Sequence, residues 1–559
     1  MKELAQSLWF TGIHPALRRF GKTRTSEWRK QNFISPFGFT SPMLARGSND
    51  RTKIMARRSA SSPTACFRVL GLMLSLAILG GVVSCGGGVS FRTRGGGGGG
   101  NGVPCSMGSP VTSAPSTTKG VGQVGTTTFL DLHLGATDLA WPSVPFGGLR
   151  LWDTSTGWAQ INTADGQYDW STLDGFVSAA QAHGVDLLYN LARTPTWASS
   201  KPNDNSCSYD TSAQGGPGQC DPPNDLNADG TGTDAHWIKW VSAVASRYKG
   251  RIKYYEIWNE WNQTVFWSPA NNSQQPQLAR MEQDARCVLE GPPAGMSCNP
   301  NSTFPSGTAI DPDARVVTPS PVGAHSFLNQ VSQDLSNYFN TLVNGHHGGD
   351  FADVIGFHGY VGTVPSSGLC PTPEDVNTVI DDLNTTTIGQ SGKPWFNTEA
   401  GWSKAGEEGF LDPDRQAAFL ARYLVLQRSL GVDRVYWYRW DAASSSGGAL
   451  WTPSGGPTPA AVAYGEVSKW IVGATLSSPC TPNGTVWSCT FTRSNGYKAV
   501  AVWDASQDCT SSNCPATLFT VPSGGYTLSR DVTGKETSVS GSSVSIGAKP
   551  ILLETSTLP

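Results

Sequence analysis

The sequence predicts an α/β protein, a (β/α)8 TIM barrel followed by a small C-terminal antiparallel β-sandwich. From residue 128 to about 475, short apolar runs alternate with amphipathic helical stretches, which is the pattern of a parallel sheet covered by helices. Eight strand segments over about 345 residues match the count and size of a barrel with insertions. Beyond 475, short alternating runs separated by Gly, Ser, Asn and Pro indicate a sandwich.

The barrel elements follow from apolar runs and their spacing. Strands are predicted at 128–135, 148–154, 186–192, 252–259, 315–319, 353–360, 394–399 and 434–440. Helices are predicted at 170–183, 235–249, 277–289, 327–344, 373–383, 414–430 and 460–472, and the short connection 136–147 leaves its helix vestigial or absent. An open doubly wound sheet is the alternative, but the run Leu134 to Thr137 lacks the Gly-rich fingerprint that such a sheet favours after its first strand.

The sandwich is small, so two disulfides would help to hold it together. Its strands are predicted at 486–493, 497–503, 517–521, 526–532, 538–546 and 551–554.

The first 125 residues predict export rather than fold. An apolar run at 69–84 follows Arg57, Arg58 and Arg68 and ends before Cys85, the charged, apolar, small-residue order of a signal peptide. The segment Val-Val-Ser-Cys resembles the lipobox of bacterial lipoproteins, in which the Cys carries the lipid; an ordinary secretory signal or an uncleaved anchor is the alternative. The predicted divisions are a mis-annotated or disordered extension at 1–54, the signal peptide at 55–84, a Gly/Ser/Thr/Pro-rich tether at 85–125, the barrel at 126–475 and the sandwich at 476–559.

Charge and composition exclude several classes of function. The 559 residues carry a net charge of −3, but residues 1–84 hold 13 basic against 3 acidic residues, which leaves 27 basic and 40 acidic residues for the rest. This acidic remainder is unsuited to a nucleic-acid partner. The 20 Trp and 14 Tyr favour stacking on neutral polar ligands, although most Trp residues are simply core.

Cysteine spacing indicates an oxidising compartment. Metal binding is the competing interpretation, but no CxxC motif or His cluster accompanies these residues. Cys105 and Cys370 remain, and their pairing is open. The predicted close pairs are Cys207 with Cys220, Cys287 with Cys298, Cys480 with Cys489, and Cys509 with Cys514.

Two carboxylates follow barrel strands at the end where such barrels carry their chemistry. Glu260 comes after the fourth strand and Glu399 ends the seventh, and both lie among Trp and Asn without a neighbouring Lys or Arg. A lone Glu at a strand end is usually a solvated surface residue, but two on opposite strand ends point across one mouth. Such a pair suits a reaction that needs an acid and a nucleophile.

These motifs resemble those of glycoside hydrolase clan A, the retaining enzymes also called the 4/7 superfamily. The resemblance rests on Trp-Asn-Glu after strand four and Thr-Glu at the end of strand seven, and it covers roughly 125–475 as a barrel. Appended sandwiches recur in families 30, 39 and 51 of this clan. The His-Gly-Tyr spacing at 358–360 leans toward family 39, with families 5, 30, 51 and 128 open.

The resemblance implies roles for individual residues. Glu260 matches the general acid/base and Glu399 the nucleophile, which must stay ionised. The remaining matches are the 2-hydroxyl ligand Asn259, the nucleophile-orienting Arg150, the flanking His358 and Tyr360, and a sugar platform at Trp440 or, as second choice, Trp437. Each has a structural alternative: Arg150 as an ion pair, and His358 and Trp440 as core.

Other residues are interpreted from the sequence alone. Glu256, within the strand, is predicted to be structural. The run 225–230 faintly resembles a calcium loop, but the bidentate Glu is missing, so no calcium is expected. Further aromatics that could line a cleft are Trp152, Trp197, Trp261, Trp267 and Trp402.

We therefore expect an exported retaining glycosidase that cleaves β-glycosidic bonds of a polysaccharide or oligosaccharide. Its localisation would be the bacterial cell envelope, as a lipoprotein anchored to the membrane through Cys85, or secreted. We expect a monomer with no cofactor, no metal and no nucleic-acid partner. The alternatives are a non-catalytic carbohydrate-binding lipoprotein and a transglycosylase.

Overall fold

A computed structural model describes most of the chain from residue 141 onward, with two short strands before it. The described residues are 106–107, 130–133, 141–206, 216–270, 272, 274–304, 309–323, 330–361, 369–370, 372–385, 392–401, 412–441 and 448–559. The predicted signal peptide, Cys85 and most of the tether lie outside these residues. Within the described residues, no helix is long and apolar enough to cross a membrane.

The parallel-sheet domain comprises the described residues up to 471. Its strands are β1 (Ser106–Met107), β2 (Leu130–His133), β3 (Gly148–Leu151), β4 (Asp186–Leu191), β5 (Tyr254–Ile257), β6 (Arg315–Val317), β7 (Leu342–Val343), β8 (His346–His347), β9 (Ile355–His358), β10 (Leu369–Cys370), β11 (Trp395–Ala400), β12 (Arg434–Tyr438), β13 (Trp451–Thr452) and β14 (Gly456–Pro457). Its helices are α1 (Trp158–Ile161), α2 (Ser171–His183), α3 (Ala235–Tyr248), α4 (Pro276–Leu289), α5 (Gln330–Phe339), α6 (Val376–Thr385), α7 (Pro413–Ser429) and α8 (Pro459–Ile471).

One eight-stranded sheet organises this domain, in the order β6-β5-β4-β3-β2-β12-β11-β9. Every neighbouring pair in it is parallel. The edge strands β6 and β9 are themselves linked by parallel bridges, Val317 with Val354 and Val322 with His358. All eight predicted strands are therefore confirmed as members of a single parallel sheet, and their carboxyl ends lie at one edge.

Side chains alternate along these strands. An apolar cluster of Leu188, Val317, Phe396 and Tyr436 fills one face of the sheet. Their chain neighbours, such as Leu187 and Val435, pack in the large core against the helices instead. The period of two therefore separates an inner layer from an outer, helix-facing layer.

Two helix predictions need correction. The segment predicted as helical at 327–344 forms α5 only as far as Phe339 and then the hairpin β7–β8. The turn Asn344-Gly345 has positive φ at both residues (54° and 79°), the conformation that Asn-Gly favours between paired strands. The segment predicted at 373–383 begins as a 3-10 turn, Pro373–Asp375, and continues as α6.

The C-terminal β domain consists of residues 475–559. Its six-stranded antiparallel sheet has the order β15-β16-β17-β22-β19-β20, and β18 pairs with β21 in a second sheet. Val500 and Leu553 of the first sheet share one apolar cluster with Phe519 and Val544 of the second. The strands are β15 (Thr475–Asn483), β16 (Val486–Thr492), β17 (Lys498–Asp504), β18 (Thr517–Thr520), β19 (Leu528–Arg530), β20 (Glu536–Ser538), β21 (Ser543–Ile546) and β22 (Ile551–Glu554).

Two strand predictions in this domain need correction. No strand was predicted where β15 (Thr475–Asn483) lies. The strand predicted at 538–546 is two strands, since β20 pairs with β19 whereas β21 pairs with β18. The chain changes sheets between them, at Gly541.

Three predicted disulfides are confirmed: Cys287–Cys298, Cys480–Cys489 and Cys509–Cys514. Cys220 is also disulfide-bonded, whereas its predicted partner Cys207 lies outside the described residues. Cys105 lies outside them as well, so its pairing with Cys370 stays open.

Candidate active site

The two glutamates lie together at the carboxyl edge of the parallel sheet. Glu399 belongs to β11, and Glu260 follows β5 by three residues. One oxygen of each lies within 4.8 Å of the other, and both lie within the same distance of a ring nitrogen of His358. The Glu260 side chain is 13% exposed and the Glu399 side chain 9% exposed, so both carboxylates are largely shielded from solvent. This carboxyl edge of the sheet around the two glutamates is called the mouth below.

Arg150, fully buried on β3, joins most of the site. Its Nη1 donates to Glu399 Oε2 at 2.7 Å, and its Nη2 donates to Asn259 Oδ1 at 2.7 Å. Its Nε donates to Glu256 Oε2, also at 2.7 Å. Burial by itself would lower the pKa of Arg150, but the attraction of Glu256 and Glu399 raises it above its ordinary value. The guanidinium is therefore permanently charged, and its plane is fixed by three acceptors.

His358 ends β9 and bridges Arg150 and Glu260. Its Nε2 lies 3.4 Å from Arg150 Nη2, and its Nδ1 lies 2.9 Å from Glu260 Oε1. A guanidinium only donates, so this arrangement suits a ring that carries a proton on Nδ1 and donates it to Glu260. This contact involves Oε1 of Glu260 and not Oε2.

Tyr360 completes the surroundings of Glu399. Its hydroxyl donates to Glu399 Oε1 at 2.8 Å. Burial raises the pKa of Glu399 above its ordinary value, and the charge of Glu260 adds to this, whereas His358, Arg150 and the Tyr360 hydroxyl oppose it. Burial also raises the pKa of Tyr360 well above its usual value, so the hydroxyl stays protonated and able to donate.

The backbone after β5 is strained where it presents Glu260. Trp258 (φ 60°) and Glu260 (φ 39°) both adopt the left-handed region that disfavours residues with a Cβ atom. Trp258 anchors the turn, because its ring is buried against Trp267 and its Nε1 donates to the carbonyl of Phe266 at 2.7 Å. The Trp of the Trp-Asn-Glu motif is therefore a core residue that aims its neighbours.

Strand alternation separates the two tryptophans considered as sugar platforms. Trp437 lies on the helix-facing side of β12, against Phe419 and Tyr423 of α7. That position is a core position, so the platform role stays a prediction for Trp440 alone. Trp440 follows β12 and is fully buried.

Several polar residues of the mouth were not predicted from the sequence. Tyr438 faces inward on β12 and donates to Asp153 at 2.9 Å, and Asp153 lies 3.6 Å from Arg193 Nη2. Asn190 and Ser320 both donate to Glu256, at 2.9 and 2.6 Å. The alternation of Arg434, Tyr436 and Tyr438 was the available signal for Tyr438.

Most of the predicted cleft aromatics serve the core. Trp261 and Trp267 are buried, and their indole nitrogens donate to Pro319 and Gln275. Trp197 packs edge-on against Trp158. Trp152 lies under the Arg193 guanidinium at 4.2 Å, and Trp402 lies outside the described residues.

Two groups within the described residues have the spacing of metal ligands. In the first, Glu260, His358 and Glu399, the Arg150 guanidinium at 2.7 Å opposes a second cation. In the second, Cys220 is disulfide-bonded and Lys201 Nζ lies 3.0 Å from Asp221. Asp225, in the run that resembles a calcium loop, accepts from the backbone N–H groups of Ala235 and His236 and so caps α3. The group of Glu260, His358 and Glu399 therefore suits proton transfer better than metal binding.

Comparison with known structures finds the same fold in a glycosidase. The chain is similar to a family 39 glycoside hydrolase from Bacteroides cellulosilyticus WH2, with a TM-score of 0.50, 15% identity, and coverage of 78% of this chain and 82% of that one. The fold is shared. This likeness supports the resemblance to clan A at the level of the fold.

Two further solved structures resemble the chain with lower TM-scores. They are a glucosidase from Croceicoccus marinus (TM-score 0.47, 12% identity, 80% and 97% coverage) and a family 51 arabinofuranosidase from Xanthomonas axonopodis pv. citri (TM-score 0.44, 10% identity, 78% and 97% coverage). No model of a protein family matches the chain, and no curated protein matches it in sequence.

Proposed function

We propose that the protein is a retaining glycoside hydrolase of clan A in which Glu399 is the nucleophile and Glu260 the general acid/base. The observation that carries this proposal is the approach of the two carboxylates to within 4.8 Å at the strand ends. Retaining enzymes need the two carboxyl groups about 5–5.5 Å apart, whereas inverting enzymes need about 6.5–9.5 Å to admit a water molecule.

In the first step, Glu399 attacks the anomeric carbon while the proton on Glu260 passes to the departing glycosidic oxygen. The carbon–oxygen bond to the leaving group breaks, and an ester bond to Glu399 forms. Arg150 and Tyr360, which hold both oxygens of Glu399, orient the attacking carboxylate. Burial raises the pKa of this nucleophile and so keeps it basic.

In the second step, Glu260 removes a proton from water, and that water displaces Glu399 from the anomeric carbon. Two inversions give net retention. The His358 Nδ1–H stabilises Glu260 as a carboxylate, the form that this step requires. Asn259 is held by Arg150 beside Glu260, where its amide can bind the sugar 2-hydroxyl.

We infer that the eight parallel strands form a (β/α)8 barrel and that the C-terminal β domain is a sandwich. The bridges between β6 and β9 support a closed barrel, because they pair the two ends of the sheet. The apolar cluster between the two C-terminal sheets supports the sandwich. The domain limits 126–475 and 476–559 are part of this proposal.

The substrate we propose is a β-linked polysaccharide or oligosaccharide, reached outside the cytoplasm. The disulfides support an oxidising compartment. We further propose that lipid on Cys85 anchors the protein in the cell envelope. Mass spectrometry of the mature N-terminus tests this, because a chain that begins before Cys85 would contradict it.

The test of function is a screen of polysaccharides and aryl glycosides with the purified protein, followed by NMR of the first-formed anomer. We expect hydrolysis with retention, and loss of about 10⁴-fold or more in kcat for Glu399→Gln. An inverted product would contradict the mechanism. Glycan binding without turnover by the wild type would favour the carbohydrate-binding alternative, and sugar products at high acceptor concentration would favour transglycosylation.

A further inference from the structure

Glu256 is a second buried carboxylate beside Arg150, and it precedes Glu260 on the strand β5. It lies on the inner face of β5 and is fully buried. Three hydrogen-bond donors reach its two oxygens: Arg150 Nε at 2.7 Å, Ser320 Oγ at 2.6 Å and Asn190 Nδ2 at 2.9 Å. No substrate atom can approach a group so enclosed, so any effect on the reaction must pass through Arg150.

The geometry of Arg150 makes that effect specific. A guanidinium is planar, so a hydrogen bond from Nε fixes the direction of both Nη groups. With Nε held by Glu256, Nη1 points at Glu399 and Nη2 at Asn259, each at 2.7 Å. Glu256 therefore determines where Arg150 touches the nucleophile and the residue next to the acid/base.

Charge is the second link between Glu256 and Glu399. Burial alone would raise the pKa of Glu256, but Arg150, His358 and donors from Ser320 and Asn190 lower it below its ordinary value, so Glu256 stays ionised. An ionised Glu256 neutralises much of the Arg150 charge. Less positive potential then remains at Glu399, whose proton affinity and nucleophilicity are correspondingly higher.

We propose that Glu256 is a positioning residue for the glycosidase reaction, which aims Arg150 and offsets its charge so that Glu399 is both oriented and basic. The proposal rests on the proposed function. It goes beyond the structural role that the sequence predicts for Glu256, because it assigns this residue an effect on the nucleophile.

The other ionisable groups around Glu399 are the same residues in the wild type and in the Glu256 variants. Arg150 reaches Glu399 from β3, and Glu260 reaches it from the turn after β5. His358 reaches it from the end of β9, and Tyr360 from the segment that follows β9. Tyr438 of β12 adds to the rise in the pKa of Tyr360. Of these groups, Glu256 hydrogen-bonds to Arg150, and it interacts with His358 through charge.

The test compares the pH dependence of kcat/KM for Glu256→Gln with that of the wild type. Gln keeps the shape and an oxygen for Arg150 but removes the charge. We expect kcat to fall about tenfold and the acid limb to move to lower pH by about one unit, because a lost negative charge near Glu399 lowers its pKa at an effective dielectric constant of about 20. Glu256→Asp, which keeps the charge but shortens the reach, should lower kcat and leave the limb in place.

A matched control is Glu374→Gln. Glu374 is equally buried and paired with Arg422 at 3.3 Å, but it contacts Trp503 of the C-terminal β domain rather than the mouth. This variant should lose stability and keep the wild-type acid limb. An acid limb of Glu256→Gln that is unmoved, or moved to higher pH, in protein with native circular dichroism would overturn the proposal.

A second measurement does not depend on activity. In a double-mutant cycle of urea unfolding, Glu256→Gln and Glu399→Gln each leave Arg150 one carboxylate, whereas the double variant leaves its charge buried without any. We expect the double variant to lose more stability than the sum of the single variants. If the wild type cleaves no glycoside, the proposed function fails, but this coupling in stability can still be measured. If the stability losses are additive, the positioning role is wrong whether or not the protein cleaves glycosides.

Discussion

Arg150 and Arg530 are both buried and bind carboxylates, with different outcomes. Arg150 lies in the mouth of the parallel sheet between Glu256 and Glu399. Arg530 lies on β19 and contacts Glu554 at 3.0 Å and Glu466 of α8 at 3.6 Å, so it links the C-terminal β domain to the parallel-sheet domain.

The difference lies in what the carboxylates face. Around Arg530, Glu554 also accepts from Tyr497, and Glu466 also accepts from Trp470, so both are enclosed by structural donors. Around Arg150, Glu399 lies opposite a second carboxylate, Glu260, at the solvent-facing edge. A buried ion pair of opposite charges costs stability when one partner is removed. Like charges held close together at a mouth cost stability themselves, and they shift the pKa values on which reactivity depends. The predictions below test this contrast.

The largest expected effect is on catalysis alone. Glu260→Ala should lower kcat by about 10²–10⁴-fold on substrates with poor leaving groups, because the acid/base is lost. Azide should restore part of the rate on an activated aryl glycoside, since it needs no base to attack the glycosyl-enzyme. The free energy of unfolding should stay equal or rise, measured by urea titration. A large loss of stability would show that the two arginine clusters are alike.

The complementary change is Arg530→Met. It leaves Glu554 buried without its cation, whereas Glu466 keeps Lys469 Nζ at 2.9 Å, so the free energy of unfolding should fall by about 3 kcal/mol. Since the side chain is 10% exposed, solvent screening is slight. kcat on the identified substrate should be unchanged in folded protein. Lys535→Met, at an exposed position of the same domain, is the matched control and should change neither quantity.

The disulfide between β15 and β16 belongs to the structural region. Replacing Cys480 and Cys489 by Ser should lower stability by about 2–3 kcal/mol, because the loop they close regains entropy in the unfolded chain. The Cys509–Cys514 pair, with a sequence separation of 5 rather than 9, should contribute less. Thermal unfolding monitored by circular dichroism compares the two. An effect on kcat equal to that of Glu260→Ala would contradict the separation of the two regions.

The smallest expected effect is a pH shift. Glu399 must be ionised to attack, and burial raises its pKa, so the acid limb of kcat/KM should lie above the value of about 4.3 for free glutamate. Tyr360→Phe removes a donor that lowers this pKa, so the limb should move to higher pH by less than about one unit. A shift to lower pH would contradict the arrangement of donors around Glu399.

The positions of the glutamates could be predicted from the sequence, but their partners could not. Glu260 and Glu399 follow apolar runs, and local patterning identifies such strand ends. The link between Glu256 and Arg150 joins residues 106 positions apart, and the further donors to Glu256 are Asn190 of β4 and Ser320 in the segment after β6. No local pattern encodes such contacts, because they depend on the register of neighbouring strands.

The same limit explains the errors. Trp437 and Trp440 look alike as neighbours of one strand end, and only the alternation about β12 places Trp437 against α7. β15 has a loop-like composition and is a strand because β16 offers it a partner. The hairpin at Asn344-Gly345 had a local signal, which the helical periodicity before it obscured.

The sequence by itself determined the order of strands and helices, the close disulfides and the two carboxylates, since each depends on residues near one another in the chain. The tertiary structure decided which side chains share the mouth, which ring nitrogen of His358 faces Glu260 and how Arg150 divides its hydrogen bonds. The physical reason is that strand pairing brings distant residues within hydrogen-bonding distance, and burial there makes each remaining charge depend on its neighbours.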